Sequence, residues 1–111
     1  MRKEHSYSPR ALDAARLLGL EVARARRARR WSQKDLAERA GVSPNTLRSV
    51  EQGAPTVAIG IFFELALLLG VDLYGTEPAG LPALVVRGRE RLALLPSRVR
   101  AQPPGDVEDD F

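Results

Sequence analysis

Two helix signals lie so close together around Gly41 that they restrict the folds open to this chain. Glycine leaves helical geometry at little cost, so Gly41 is suited to end one helix. Only Val42 separates it from Ser43, which can cap the next helix. Pro44 fits the first position of that helix, where a missing amide proton costs nothing. The two helices are therefore joined by a very short turn and must cross at a steep angle.

The earlier of these two helices starts near Ser32. The Ser32 side chain can cap its first amides, and Asp35, three residues later, favours the positive end of the helix. Its apolar side consists of Leu36, Ala37 and Ala40. With the turn at Gly41, this arrangement predicts a helix-turn-helix unit.

The later helix, from Pro44 to Gln52, is short and mostly polar. Leu47 and Val50, three residues apart, are its expected inward anchors. Its outward residues are Asn45, Arg48, Ser49 and Gln52. Amide, guanidinium and hydroxyl groups on a short, angled helix suit the major groove of DNA, where the first residues contact base edges. The alternative is an ordinary helical hairpin in a small bundle, with a hydrated polar face.

One long helix is predicted before this unit, over about residues 9–29. Its apolar positions recur at helical spacing, at Leu18, Val22 and Ala25. Residues 1–30 carry nine Arg or Lys against three acidic side chains, a net charge of +6, whereas the whole chain has +3. Because arginine suits phosphate oxygens, this cluster supplies candidate phosphate contacts, although it can equally be a solvated face. The candidates are Arg26, Arg27 and Arg30.

A fourth helix is predicted after a turn at residues 54–56. Residues 59–69 are apolar on more than one side, and a helix of this kind in a small domain needs cover on its second face. A symmetric partner chain would provide that cover. Gly70 ends this helix, and a short fifth helix is expected to start at Val71. Homodimerisation through helices four and five is the resulting hypothesis.

The chain changes character beyond Gly75. Residues 76–82 indicate a linker rich in Pro and Gly. Residues 83–95 predict either a helix interrupted by Gly88 or a brief strand, and periodicity does not decide between them. The sequence thus predicts a DNA-binding domain over 12–75, followed by a linker and a short C-terminal element over 76–100.

The end of the chain, residues 101–111, is acidic and closes on Phe111. We expect this tail to be disordered, because it is too polar to form a core. The alternative is a recognition peptide, in which the acidic residues steer toward a basic partner and Phe111 fills a pocket.

Composition argues against several other classes of protein. The 111 residues suffice for one compact domain, and the absence of cysteine excludes disulfides and thiolate chemistry. No apolar run approaches the roughly 18 residues that span a bilayer, and no signal-peptide core follows the charged start. We therefore expect a cytoplasmic protein that does not enter membranes. A single histidine, His5, and the lack of a glycine-rich phosphate loop predict neither an enzyme nor a metal or cofactor site.

A series of residues over about 15–75 carries a family resemblance. They are Leu18-Gly19, Val22, Arg26, Ser32-Gln33, Leu36-Ala37, Gly41-Val42-Ser43, Leu47, Val50-Glu51, Gly53, Leu65-Ala66 and Leu69-Gly70-Val71. Their order, without a gap through the turn, resembles the Xre/Cro-type, lambda-repressor-like helix-turn-helix family. The resemblance implies an all-α domain of five helices that binds operator DNA as a dimer.

The same resemblance implies roles for single residues. Gln33 and Ser43 match positions that commonly touch the DNA backbone, and we expect Thr46 to help position phosphates. The positions of the base readers correspond to Pro44, Asn45, Arg48 and Ser49. Pro44 departs from the glutamine often found there, so it offers an apolar contact or only shape. Arg26 and Glu51 match positions that often form an ion pair between the first and third helices.

A second, looser resemblance concerns segments 55–60 and 95–100 and the acidic end in Phe111. These segments look like the HipB-type antitoxins encoded beside HipA-family kinase toxins. The combined prediction is a homodimeric repressor of an inverted-repeat operator in double-stranded DNA, which also binds a HipA-like kinase toxin. The alternatives are a stand-alone regulator of the Xre family and a protein-interaction module without DNA binding.

Overall fold

A computed structural model describes residues 6–99 of the chain. These residues form five α-helices and a 3-10 turn at Pro78–Gly80. The helices are α1 (Pro9–Ala28), α2 (Gln33–Ala40), α3 (Pro44–Glu51), α4 (Ile59–Leu68) and α5 (Leu81–Ala93). Within 6–99 there is no strand beyond one isolated bridge, so the all-α fold class with five helices in total is confirmed, although the fifth helix lies elsewhere than expected. The chain divides into two compact units between Ala79 and Gly80.

The predicted capping residues start their helices. The Ser32 hydroxyl accepts from the Asp35 amide at 3.0 Å, and the Asp35 carboxylate accepts from the Ser32 amide at 3.0 Å, which completes a capping box. The hydrogen bond from the Ser32 amide lowers the pKa of Asp35. Ser43 caps α3 in the same way through the Thr46 amide, at 3.0 Å. Both helix starts therefore follow from local sequence.

The turn between α2 and α3 depends on Gly41. Its φ of 71° lies in the left-handed region, where glycine has no steric penalty. The Gly41 amide donates to the Glu38 carbonyl, and the Val42 amide donates to the Ala37 carbonyl at 3.0 Å. These bonds satisfy the last carbonyls of α2 and reverse the chain within two residues.

The core of the first unit lies between α1, α2, α3 and α4. Its buried side chains are Val22, Ala25, Leu36, Ala37, Leu47, Val50, Leu65 and Leu69. The predicted anchors Leu47 and Val50 are 0% and 5% exposed, so they hold α3 as expected. Leu18 differs from the prediction, because 47% of it is exposed. Its neighbour Gly19 occupies the buried position instead.

Two glycines allow α1 and the end of α3 to touch through their backbones. A Cβ added to Gly19 would lie 2.3 Å from the Val50 carbonyl oxygen, and one added to Gly53 would lie 2.7 Å from the Arg16 Cα. Gly53 also has a φ of +78°. Neither position can accept a side chain without movement of backbone, so glycine is required at both.

The predicted helix at Val71 is wrong. Residues 71–77 instead form a tight turn, closed by a bridge between Leu73 and Thr76. Tyr74 and Gly75 have φ values of 56° and 71°, and two successive left-handed residues cannot continue a helix. The fifth helix lies at Leu81–Ala93, which decides the open alternative for residues 83–95 in favour of a helix that continues through Gly88.

None of the helices in the described part of the chain combines the length and apolar character needed to cross a membrane.

The contact between α1 and α3 predicts that Gly19→Ala lowers the stability of the domain. The new methyl group must displace the Val50 carbonyl, and forced shifts of this kind cost about 1–3 kcal/mol. Gly60→Ala is the matched control, because a Cβ there meets no atom within 4 Å. It should raise the free energy of unfolding by about 0.5 kcal/mol. Thermal unfolding followed by circular dichroism measures both variants, and equal melting temperatures would contradict the close approach.

Candidate nucleic-acid interface

One side of α3 is anchored and the other is open to solvent. Leu47 and Val50 are buried against the core, whereas Pro44, Asn45 and Arg48 are exposed. Thr46 and Ser49 are half-buried beside them. The turn at Gly41 and the cap at Ser43 fix the direction of the helix, so its exposed side chains start from a rigid backbone.

Asn45 and Arg48 are joined on the exposed side of α3. Arg48 Nη1 donates to Asn45 Oδ1 at 2.7 Å, a short bond typical of a charged donor. This bond uses one of the two lone pairs of Asn45 Oδ1, and among residues 6–99 the two amide N–H groups of Asn45 and the other guanidinium donors make no further hydrogen bond. This part of the surface therefore presents hydrogen-bond donors.

Ser43 and Thr46 form a second pair, at the start of α3. The Ser43 hydroxyl accepts from the Thr46 amide and donates to Thr46 Oγ1 at 2.9 Å. Because Thr46 Oγ1 accepts this bond, the hydroxyl proton of Thr46 remains free to donate. Ser43 is thus largely committed to capping, and Thr46 is the better placed donor of the two.

An ion pair between Arg26 and Glu51 connects α1 to the end of α3. Arg26 Nε donates to Glu51 Oε2 at 2.7 Å, and Arg26 Nη2 donates to Glu51 Oε1 at 3.0 Å. The two side chains are only 10% and 7% exposed. This bidentate hydrogen bonding raises the pKa of Arg26 above its ordinary value. The pair implied by the family resemblance is therefore present.

Two further hydrogen bonds extend this pair to α2. Arg26 Nη1 donates to the Trp31 carbonyl at 2.8 Å, and Gln33 Nε2 donates to Glu51 Oε1 at 3.0 Å. Across the described residues, every buried side-chain nitrogen and oxygen has a hydrogen-bond partner. The polar network therefore joins three helices without an orphaned group.

This network changes the interpretation of two predicted phosphate contacts. Arg26 is 8% exposed, and its guanidinium faces Glu51 and the Trp31 carbonyl, so it supports the scaffold and is not open to DNA in this conformation. Gln33 is half-buried and uses one N–H on Glu51, which leaves its second N–H for an outside acceptor. The family resemblance implied the pair of Arg26 with Glu51, but it did not show that Gln33 also donates to Glu51.

The other predicted arginines are exposed. Arg27 lines a groove of about 640 Å³ between α1 and α3, together with Gln33, Arg48 and Gln52. Arg30 is also exposed and adopts a left-handed φ of 58° in the turn after α1. Gln52 was predicted to face outward without an assigned contact, and its position four residues after Arg48 places it on the same side of α3. Phe111 lies outside the described residues.

The same groove has apolar walls and one internal ion pair. Leu17 and Leu20 line it from α1, and Arg24 beside them pairs with Glu21 at 2.6 Å. The groove therefore combines Arg27, which forms no ion pair within residues 6–99, with the polar side of α3. Within residues 6–99, no three potential metal ligands lie together.

Residues 22–75 match the family model described as helix-turn-helix. The matched segment includes the end of α1 and all of α2, α3 and α4, and it is slightly less than half of the chain. No curated protein and no solved structure gives a significant match. The segment with α2, the turn at Gly41 and α3 is therefore similar to helix-turn-helix domains, which bind DNA in transcription regulators.

The buried network predicts a large loss of stability in Glu51→Ala. The substitution leaves the Arg26 charge buried without its partner, which costs roughly 3–5 kcal/mol. Asp13→Ala is the matched control, because its ion pair with Arg16 is 63% and 60% exposed on the two side chains. Losing such a pair costs about 1 kcal/mol or less. Urea unfolding gives both values, and a Glu51→Ala curve that overlaps the wild-type curve would show that the pair does not support the fold.

Proposed function

We propose that this protein is a homodimeric transcriptional repressor that reads an inverted-repeat operator with α3. The observation that carries this proposal is the exposed, hydrogen-bonded pair of Asn45 and Arg48 on a helix held at a fixed angle by the turn at Gly41. The helix-turn-helix match over 22–75 supports the same reading.

The chemistry of the pair favours guanine as a target. Guanine presents two acceptors, O6 and N7, in the major groove, and arginine can bind both. Asn45 Oδ1 already accepts from Arg48, so it orients the guanidinium and leaves amide donors for a neighbouring acceptor. Adenine is the alternative target of Asn45, because the second lone pair of its oxygen can still accept from the adenine amino group. Pro44 contributes shape to the DNA-facing side of α3, and Ser49 contributes a hydroxyl group.

Phosphate contacts position α3 in this proposal. The free N–H of Gln33, the Thr46 hydroxyl and the exposed guanidinium groups of Arg27 and Arg30 are the donors available for them. Ser43 contributes mainly by fixing the start of α3.

Dimerisation is proposed through α4. This helix is apolar along most of its length, and Ile59, Leu67 and Leu68 are 69%, 37% and 41% exposed. A symmetric partner would cover these side chains, as an isologous interface requires. Two copies of α3 would then enter successive major grooves about 34 Å apart.

A role as the antitoxin of a HipA-like kinase toxin is the finer part of the proposal. Its support is the looser sequence resemblance of segments 55–60 and 95–100 and of the acidic end in Phe111. In that role the protein would repress its own gene and bind the kinase. A stand-alone regulator is the alternative. Kinase binding and DNA binding by a chain that lacks residues 102–111 distinguish the two functions. An antitoxin loses kinase binding and keeps most DNA binding.

Base reading by Arg48 predicts a loss of both affinity and selectivity in Arg48→Ala. With a duplex selected from a random pool, binding should weaken by about 1–3 kcal/mol, and preference at one base pair should relax. Arg48→Lys is the control that keeps the charge and removes the bidentate fork. It should retain binding to unrelated DNA while losing the same preference. Titration at several salt concentrations measures both effects, and equal weakening on all duplexes would instead make Arg48 a phosphate contact.

The proposed dimer predicts that Leu68→Glu yields monomers. In a symmetric α4 interface, the introduced carboxylates of both protomers would be removed from water and placed close to each other. Both effects raise the free energy of the dimer. Leu17→Glu is the matched control, since Leu17 is an exposed leucine of α1 outside that surface. Sedimentation equilibrium at micromolar concentration measures the masses. A monomeric wild-type protein, or a dimeric Leu68→Glu variant, would reject the α4 interface.

A further inference from the structure

The second unit contains an amphipathic helix with no buried residue. In α5, Val85 and Leu92 are 50% and 69% exposed, and Leu95, just after the helix, is 63% exposed. Large apolar side chains exposed in this number on one helix mark an interaction surface rather than a scatter of single residues.

Most large apolar residues over 81–95 lie on one side of the helix at a regular spacing, whereas exposed Val86 and Leu94 lie outside it. Steps of four, three, four and three residues connect Leu81, Val85, Gly88, Leu92 and Leu95. This is the spacing of the seam between two helices in a coiled coil. At about 100° per residue, Leu84 also falls on this seam, and the whole set spans an arc of about 100°. The surface is therefore a narrow stripe suited to one other helix.

Gly88 lies in the middle of this stripe, although neither its conformation nor its surroundings require glycine there. A Cβ added there meets no atom within 4 Å, and its φ is not in the left-handed region. Glycine inside a helix is otherwise among the least favourable residues. Close approach of a second helix backbone would supply the missing reason, because glycine leaves room for it.

Charge indicates which helix fits. Arg89 and Arg91 flank the stripe on its two edges, whereas Arg87 and Glu90 lie on the far side of α5. A second copy of α5 would surround one seam with arginines from both chains and no acidic residue, which disfavours self-pairing. A partner helix with Glu or Asp beside its apolar residues complements both edges.

We propose that α5 is a docking helix for an amphipathic, acid-flanked helix of another protein, packed along Leu81, Val85, Gly88, Leu92 and Leu95. An anionic membrane surface fits less well. Helices that lie on membranes present a broad apolar face of Trp, Phe or Leu, whereas the stripe on α5 spans only about 100° and residues 81–99 contain no aromatic side chain. This inference does not depend on the operator or on the dimer proposed above.

The test uses the full chain and a labelled three-heptad peptide with Leu at its seam positions and Glu at its flanking positions. The Glu residues also prevent the peptide from pairing with itself. A second peptide carries Lys at the flanking positions, and vesicles with and without phosphatidylserine serve as the membrane probe. Fluorescence anisotropy of the peptides should show binding of the Glu peptide, weaker binding in high salt, and little binding of the Lys peptide. Sedimentation with the vesicles should leave the chain in the supernatant with either lipid composition.

Variants of the chain identify the surface. Arg89→Glu combined with Arg91→Glu should weaken binding of the Glu peptide about tenfold and gain binding of the Lys peptide, because the edge charges are reversed. Arg87→Glu, on the far side of the helix, is the matched control and should change binding by less than about threefold. Gly88→Ala should increase helix content in α5 but weaken peptide binding about tenfold, since the methyl group separates the two backbones.

Several results would overturn the proposal. Equal binding of both peptides, or equal effects of the edge variant and Arg87→Glu, would show that the contact is nonspecific. Stronger binding to phosphatidylserine vesicles than to the Glu peptide would assign α5 to a membrane surface. Self-association that is lost in Leu92→Glu would assign it to a second copy. Thermal unfolding of each variant, compared with wild type by circular dichroism, reports that the first unit is folded.

Discussion

The buried ion pair between Arg26 and Glu51 is the interaction on which the orientation of α3 depends. It joins α1 to the end of α3, and the hydrogen bonds to the Trp31 carbonyl and from Gln33 add the start of α2. Both charged side chains are almost fully buried, so removal of one partner leaves the other charge without compensation and destabilises the fold. The network therefore acts at one end of α3, while the Ser43 cap and the Gly41 turn act at the other.

Close packing of backbones complements this network. Gly19 and Gly53 let α1 pass the end of α3 with no side chain between them, so small shifts of α3 meet carbonyl oxygens and Cα atoms. Interiors that are packed in this way do not deform continuously. The exposed donors of Asn45 and Arg48 are thus presented by a rigid frame, and this kind of preorganisation favours selective binding.

Much of the fold follows from short-range sequence signals. The helix starts at Ser32 and Ser43 and the turn at Gly41 are properties of a few adjacent residues, and the structure reproduces them. The prediction of a helix at Val71 was wrong because Tyr74 adopts a left-handed conformation. A tyrosine in the sequence does not indicate this conformation. The site was less predictable than the fold. Arg26 and Arg27 are neighbours in one arginine cluster, but Arg26 is buried by tertiary contacts and Arg27 is exposed. The composition of the cluster does not distinguish the two.

In the proposed complex, α3 lies in the major groove and the Arg48 guanidinium group binds guanine. Methylation interference on the best duplex from a random pool tests this most directly, because dimethyl sulfate marks guanine N7 in the major groove and adenine N3 in the minor groove. The account predicts that N7 methylation blocks binding at two symmetric guanines, one in each half-site, about one helical turn apart. Interference confined to adenine N3, or spread evenly over all positions, would contradict it.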